Sequence, residues 1–217
     1  MKLAQALALI LNISRRRATE MIKTEEIKLN GEIVDGFSVQ VDAKKDILEI
    51  NGKQQNLRAL KERKVYYAFY KPTGVECTLK PDSNLHEYLN QISGSNLKPV
   101  GRLDQASEGL LLITNDGDFI NKMLHPKNKI DKEYYVRATG FVNEKQIEEL
   151  KEELTLSRIN IKGSVLTCSV VLQEGRNRQI RRAFTQIGMH VEVLRRMKIG
   201  KYKLEDLKPG KWRELSL

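Results

Sequence analysis

The chain has 217 residues, 38 Lys and Arg against 28 Asp and Glu, and a formal net charge of +10 at pH 7. At 40% hydrophobic and 30% charged, with only 5 Pro, it is too apolar and too mixed in sign to be disordered, and its length suits one ordinary domain plus a small one. The positive surplus points to a polyanionic partner, because neutralising phosphates releases condensed counterions.

The opening residues read as a helix, with apolar side chains recurring at Leu3, Leu7, Ile10 and Leu11. This run is broken by Gln5 and is far short of the ~20 residues that cross a bilayer, so no membrane partner is expected. One Lys2 before it and Arg15, Arg16 and Arg17 after it, with no small-residue cleavage site, do not make a secretory signal, and the chain is expected in the cytoplasm. Asn12 or Ser14 can cap a second helix over 15–23. Ile27-Lys28-Leu29-Asn30-Gly31-Glu32-Ile33-Val34 then reads as a hairpin about an Asn-Gly turn, and Asp46 to Ile50 followed by Asn51-Gly52 repeats the pattern. Residues 1–55 are therefore expected to form a small module, and the polar stretch 56–64 a linker to a second domain over 65–217.

In that second domain strands are expected at 65–70, 110–114, 134–138 and 165–172, and helices at 118–124, 143–154 and 177–187. They interleave without a regular βαβ period, which predicts an α+β domain with a mixed, mainly antiparallel sheet flanked by helices. Cys77 and Cys168 form no C-x-x-C pair, and His86, His125 and His190 are scattered, so neither a disulfide framework nor a metal site is expected.

Charge is concentrated late in the chain. From Glu174 to Lys203 nine basic side chains face two acidic ones. A solvated face would intersperse Glu with Lys, whereas this one is dominated by Arg, whose planar fork suits phosphate, so nucleic-acid contact is the favoured reading. Within it, Arg178, Arg181 and Arg182 fall opposite Ile180, Phe184 and Ile187 on a helical wheel. Earlier, Gly101-Arg102-Leu103-Asp104-Gln105-Ala106-Ser107-Glu108-Gly109 holds a carboxylate and a guanidinium on a loop that feeds an apolar strand. Such a segment by itself fits an ordinary turn as well as a site. In Lys132-Glu133-Tyr134-Tyr135-Val136, adjacent tyrosines lie on opposite faces of a strand.

Together, that loop, the Lys-Pro-x-Gly turn at 71–74, the 132–136 strand and the Gly-Arg-Asn-Arg-Gln-Ile-Arg-Arg run resemble the pseudouridine synthases, in particular the RsuA-like branch that modifies ribosomal RNA. Residues 1–50 resemble the αL RNA-binding motif that this family shares with a ribosomal small-subunit protein. The resemblance implies a reaction without cofactor or metal, in which Asp104 works on the glycosidic bond of a flipped-out uridine as nucleophile or as base. It further implies that Arg181 pairs with Asp104, that Tyr134 stacks on the uracil and that Arg102 fills the space the nucleotide leaves. Lys71, Arg176, Arg178 and Arg182 would hold phosphates, and Arg15, Arg16 and Arg17 would contact RNA from the first module. The expected partner is RNA, ribosomal before transfer RNA, bound by a monomer. Departures from the family pattern are Ala106 where a second acidic residue often stands, Glu25 in place of a glycine, Ala4 and Gln5 in the first helix, and a short 151–170 stretch. A binding-only protein and a glycoside hydrolase are the competing readings, the latter needing a second carboxylate for which Glu108 is the nearby candidate.

Overall fold

Two Asn-Gly turns organise the first of two units into which the chain divides, Met1–Lys64 and Val65–Leu217. The computed structural model describes residues 1–11, 13–34, 36, 38–57, 64–80, 83–92 and 96–216. In the first unit, α1 (Leu3–Ile10) is followed by α2 (Arg15–Thr24), whose first turn is capped by the Ser14 side chain accepting from Arg17 N–H at 3.1 Å. Asn12, the other candidate cap, lies outside the described residues.

Strands β1 (Ile27–Leu29), β2 (Glu32–Ile33), β3 (Leu48–Ile50) and β4 (Lys53–Gln54) form an antiparallel sheet in the order β2-β1-β3-β4. Both hairpin turns have positive φ at each central residue, Asn30 and Gly31 at 55° and 87°, Asn51 and Gly52 at 49° and 73°. This backbone matches strand twist and favours Asn-Gly. Leu3, Leu7, Ile22, Ile27 and Leu48 close the core, and Leu57 joins them, so the unit runs past residue 55. Most of the expected linker, 58–63, lies outside the described residues.

The second unit contains β5 (Tyr66–Lys71), α3 (Asn84–Leu89), β6 (Lys98–Pro99), β7 (Glu108–Thr114), α4 (Gly117–Leu124), β8 (Lys132–Thr139) and α5 (Glu144–Glu153). It continues with β9 (Thr155–Lys162), β10 (Val165–Leu172), α6 (Gln179–Gln186), β11 (His190–Ile199), β12 (Tyr202–Lys203) and β13 (Trp212–Glu214). The sheet order is β13-β5-β7-β11-β8-β10-β9, with β6 on β7 and β12 on β11. Every pairing is antiparallel except β7 with β11, so the sheet is mixed and mainly antiparallel, and the α+β class stands.

Alternation along β7 builds both layers. Leu110 and Leu112 pack with Met123 of α4, while Leu111 and Ile113 pack with Leu85 and Leu89 of α3. Amphipathic α5 and α6 bury Ile147, Leu150, Ile180 and Phe184 against Val136, Leu166 and Leu194. The expected helix over 177–187 begins later, at Gln179, because Arg178 takes left-handed backbone (φ 48°).

At the parallel junction Gly109 sits opposite Arg196, with φ 105°. A Cβ there would lie 2.4 Å from Arg196 O and 2.6 Å from Arg196 N, so only glycine lets the two strands meet.

Candidate active site

The loop 101–107 leads into β7, and its backbone is held by cations that arrive from three distant elements. Lys71 at the end of β5 donates from Nζ to Pro72 O and Val75 O, both at 2.8 Å, and to Gln105 O at 3.5 Å. Arg181 of α6 donates from Nη2 to Ala106 O at 2.8 Å and from Nη1 to Val191 O at 2.7 Å. Arg196 of β11 donates from Nε to Leu110 O at 2.8 Å and from Nη1 to Arg102 O at 3.3 Å. The carbonyls of residues 102, 105 and 106 thus all accept from charged donors, which make stronger hydrogen bonds than neutral ones. Gly74 N–H to Gln105 O (2.8 Å) and Gln105 Nε2 to Gly74 O (3.2 Å) tie the loop to the Lys-Pro-x-Gly turn.

This changes two sequence expectations. Lys71 is fully buried, so it does not reach a phosphate and instead fastens the turn to the loop. Burial holds its ammonium pKa at about 8, Arg196 lowers it too, and the carboxylates of Asp104 and Glu108 oppose them. At pH 7 the group therefore remains charged. Arg181 does not form the expected ion pair: no bridge to Asp104 exists within 4.0 Å, and two of its nitrogens are spent on backbone carbonyls. Burial and then Arg178 lower the pKa of Arg181, and Asp104 raises it, so the carboxylate acts on the guanidinium at longer range.

The Lys71 arrangement yields a pH test. Between about 8 and the 10.5 of a free lysine, the unfolded chain holds the Lys71 proton and the folded chain has released it. Stability contributed through this group rises with pH across that window. Urea unfolding of wild type and Lys71→Met at pH 8 and pH 10 is expected to show the difference moving in favour of wild type; a constant difference would contradict it.

Asp104 is half-buried, and its carboxylate has no hydrogen bond or ion pair among the described residues. It lines a cavity of about 260 Å³ with Arg102, Ser107, Tyr134, Arg176 and Arg178. Tyr134 is 8% exposed and packs in the same core cluster as Leu103, Ile180 and Leu194, while its neighbour Tyr135 is half-buried. Arg102, Arg176, Arg178 and Arg182 are exposed, but Arg182 is not part of this wall. Arg15, Arg16 and Arg17 are exposed on the first turn of α2 in the first unit. Among the described residues Asp104 is the one carboxylate in the cavity wall, since Glu108 lies outside it and bridges Arg195 at 2.7 Å.

The basic window is also less available than its charge count implies. Arg196 is 3% exposed and spends two of its nitrogens on backbone carbonyls, and Arg195 is neutralised by Glu108, so neither charge stands free on the surface. Arg196 and Ser107 are the site residues that sequence reasoning missed. The apolar positions of Val191, Leu194 and Ile199 mark β11, but the intervening charges resemble a solvated run.

Among the described residues no group of three or more His, Cys, Asp or Glu could hold a metal, and no helix is long and apolar enough to cross a membrane. Cys77 and Cys168 are free, and burial pushes the Cys168 thiol up to about 12.

Comparison with known proteins agrees with this architecture. The RNA pseudouridylate synthase family profile matches residues 65–186. The chain is 34% identical to the ribosomal large subunit pseudouridine synthase B of Bacillus subtilis (strain 168), covering 94% of this chain and 87% of that protein. It is 33% identical to the protein of the same name in Vibrio vulnificus (strain CMCP6), over 100% of this chain and 72% of that one. A crystal structure of a pseudouridylate synthase superposes with a TM-score of 0.64 at 27% identity, covering 100% of this chain and 96% of the other. With a family profile spanning more than half its length and relatives matched over nearly all of it, this chain belongs to the RNA pseudouridylate synthases, a family of isomerases.

Proposed function

We propose that the protein isomerises a uridine of ribosomal RNA to pseudouridine, with Asp104 acting on the glycosidic bond. The observation that carries this reading is a carboxylate without a partner, alone of its kind in a cavity walled by Tyr134 and arginines. The names of the Bacillus and Vibrio relatives favour large-subunit RNA as the target.

In the reaction the N1 to C1′ bond breaks, the uracil turns, C5 bonds to C1′, the C5 proton leaves and N1 takes one up. Nothing is oxidised or hydrolysed, so the scheme needs neither cofactor nor metal. Asp104 serves as nucleophile toward the substrate or as base for a sugar proton, both of which require the free carboxylate. Tyr134 packs against the uracil. Arg102, exposed at the rim, fills the gap left by the flipped nucleotide, and Arg176 and Arg178, just before α6, meet flanking phosphates, with Arg182 on α6 itself. Arg181 and Arg196 serve by positioning the loop.

A hydrolase that works through two carboxylates finds no support, because Glu108 is committed to Arg195. A binding-only protein would gain nothing from an unpaired carboxylate in an RNA-facing cavity, where it repels phosphate.

The first unit is read as an αL module that contacts RNA through Arg15, Arg16 and Arg17, and the protein as a cytoplasmic monomer. Replacing these three arginines with Gln is expected to flatten the salt dependence of RNA binding by up to about three charges, at roughly 0.7–0.9 per charge in log K against log salt. An unchanged slope would remove the first unit from the interface.

The test of the function maps pseudouridine by carbodiimide and primer extension in RNA from a strain lacking the protein and from one carrying Asp104→Asn. One site missing from both, and restored by wild type, is the expected result. If Asp104→Asn leaves every site intact, the proposal fails.

A further inference from the structure

Beside the Asp104 cavity lies a larger one of about 470 Å³, and the two share Arg102, Tyr134, Gly175 and Arg176. Its floor is apolar, with Met123, Ile130 and Ile199 among the lining side chains. Its polar lining is cationic: Arg102, Lys132, Arg176 and Arg196 outnumber the single carboxylate of Glu174.

Two of these cations have donors left over. Lys132 Nζ uses Gln173 O (2.8 Å) and Ile130 O (3.3 Å), which leaves the third ammonium proton. Arg196 is 3% exposed, and its buried Nη2 has no hydrogen-bond partner among the described residues. A buried guanidinium nitrogen without an acceptor is costly and rare in a folded protein, and it is explained if an oxygen is supplied from outside the chain.

We propose that this second chamber receives the nucleotide adjoining the reactive uridine, its base on the Met123, Ile130 and Ile199 floor and an oxygen of that nucleotide on Arg196. The inference rests on the reading that the uridine enters the Asp104 cavity. The shared wall makes the two occupants consecutive along one strand. A simple anion would fill only part of a space larger than the one offered to the uridine, and it would leave the apolar floor unused. Splayed, unstacked nucleotides held by apolar faces and arginine are the common mode of single-stranded RNA recognition. The neighbour of the modified uridine is then a determinant of target choice.

The experiment uses the full chain with labelled Met, Ile and Leu methyl groups, titrated with the single-stranded trinucleotide UpUpU and, separately, with inorganic phosphate. The trinucleotide is expected to shift Met123, Ile130 and Ile199 together with Ile180 and Leu194 of the Asp104 cavity, and phosphate is not. Shifts confined to Ile180 and Leu194 would overturn the second chamber and leave the proposed function standing. Shifts at neither set would overturn both. Equal shifts of the chamber methyls by phosphate alone would reduce it to an anion site and overturn the proposal. A turnover arm fills the chamber with Leu124→Trp, a lining position that is exposed. On RNA bearing the mapped uridine this variant is expected to raise KM about ten-fold at unchanged kcat, the equivalent of losing one base contact. With an unchanged thermal midpoint, an unchanged KM would overturn the proposal.

Discussion

Asp104→Asn is expected to lower pseudouridine formation by at least about a thousand-fold while leaving stability within about 0.5 kcal/mol of wild type. The two side chains have nearly the same shape, but the amide is neither nucleophile nor base. Stability is spared because the cations of this site grip the loop through the carbonyls of Arg102, Gln105 and Ala106 and make no bridge to the carboxylate. RNA affinity is expected to hold or rise, since a negative charge leaves a cavity that faces phosphate. Single-turnover kinetics, thermal unfolding and RNA binding together check the result. A variant that keeps a tenth of the rate, or that unfolds readily, would mean that Asp104 is a structural residue.

Gly109→Ala is expected to be the most damaging single methyl group added to the second unit, costing about 3–5 kcal/mol. The new Cβ would lie 2.4, 2.6 and 3.0 Å from the O, N and C atoms of Arg196, all backbone, at a φ of 105°. No rotamer change relieves such a clash. β11 cannot swing away, because it lies between β7 and β8 and its Arg196 side chain is bonded to Leu110 O and Arg102 O. Against a typical total of about 5–15 kcal/mol, the variant is expected to be barely folded. Whatever remains folded should also be slow, since moving β11 moves the loop. Gly175→Ala is the control: its Cβ would meet nothing within 4 Å, so urea unfolding should find it close to wild type. Equal midpoints for the two variants would refute the argument.

Much of the fold was readable because its signals are local. Asn30-Gly31 and Asn51-Gly52 specify their turns by backbone conformation, and the apolar run into Thr114 marks β7 without help from tertiary structure. Asp104 was readable as a residue of interest because a carboxylate and a guanidinium sit together on a glycine-bounded loop. What escaped depends on pairing. β11 is next to β7 in the sheet, but its charged residues disguise it, since the partners that neutralise or bury them, Glu108 and the loop carbonyls, lie about ninety residues upstream. β9 is an exposed edge strand with little apolar signal, and α3 is only 6 residues long. The work of Lys71 and Arg181 is hidden for a related reason. Residue type announces a cation, but it does not say whether the acceptor is a phosphate, a carboxylate or a backbone oxygen.

The three cations that hold the loop bear on how the enzyme comes to life during synthesis. Lys71 precedes the loop by about thirty residues, whereas Arg181 and Arg196 follow it by about seventy-five and ninety-four. A nascent chain that has already exposed Asp104 still lacks two of the donors that shape the loop, and it lacks β11, against which β7 must dock. Domains fold as units once their partners in the sheet are available. A chain synthesised only as far as the loop therefore cannot yet hold it in the arrangement seen here, and the site takes its shape only once α6 and β11 have been made.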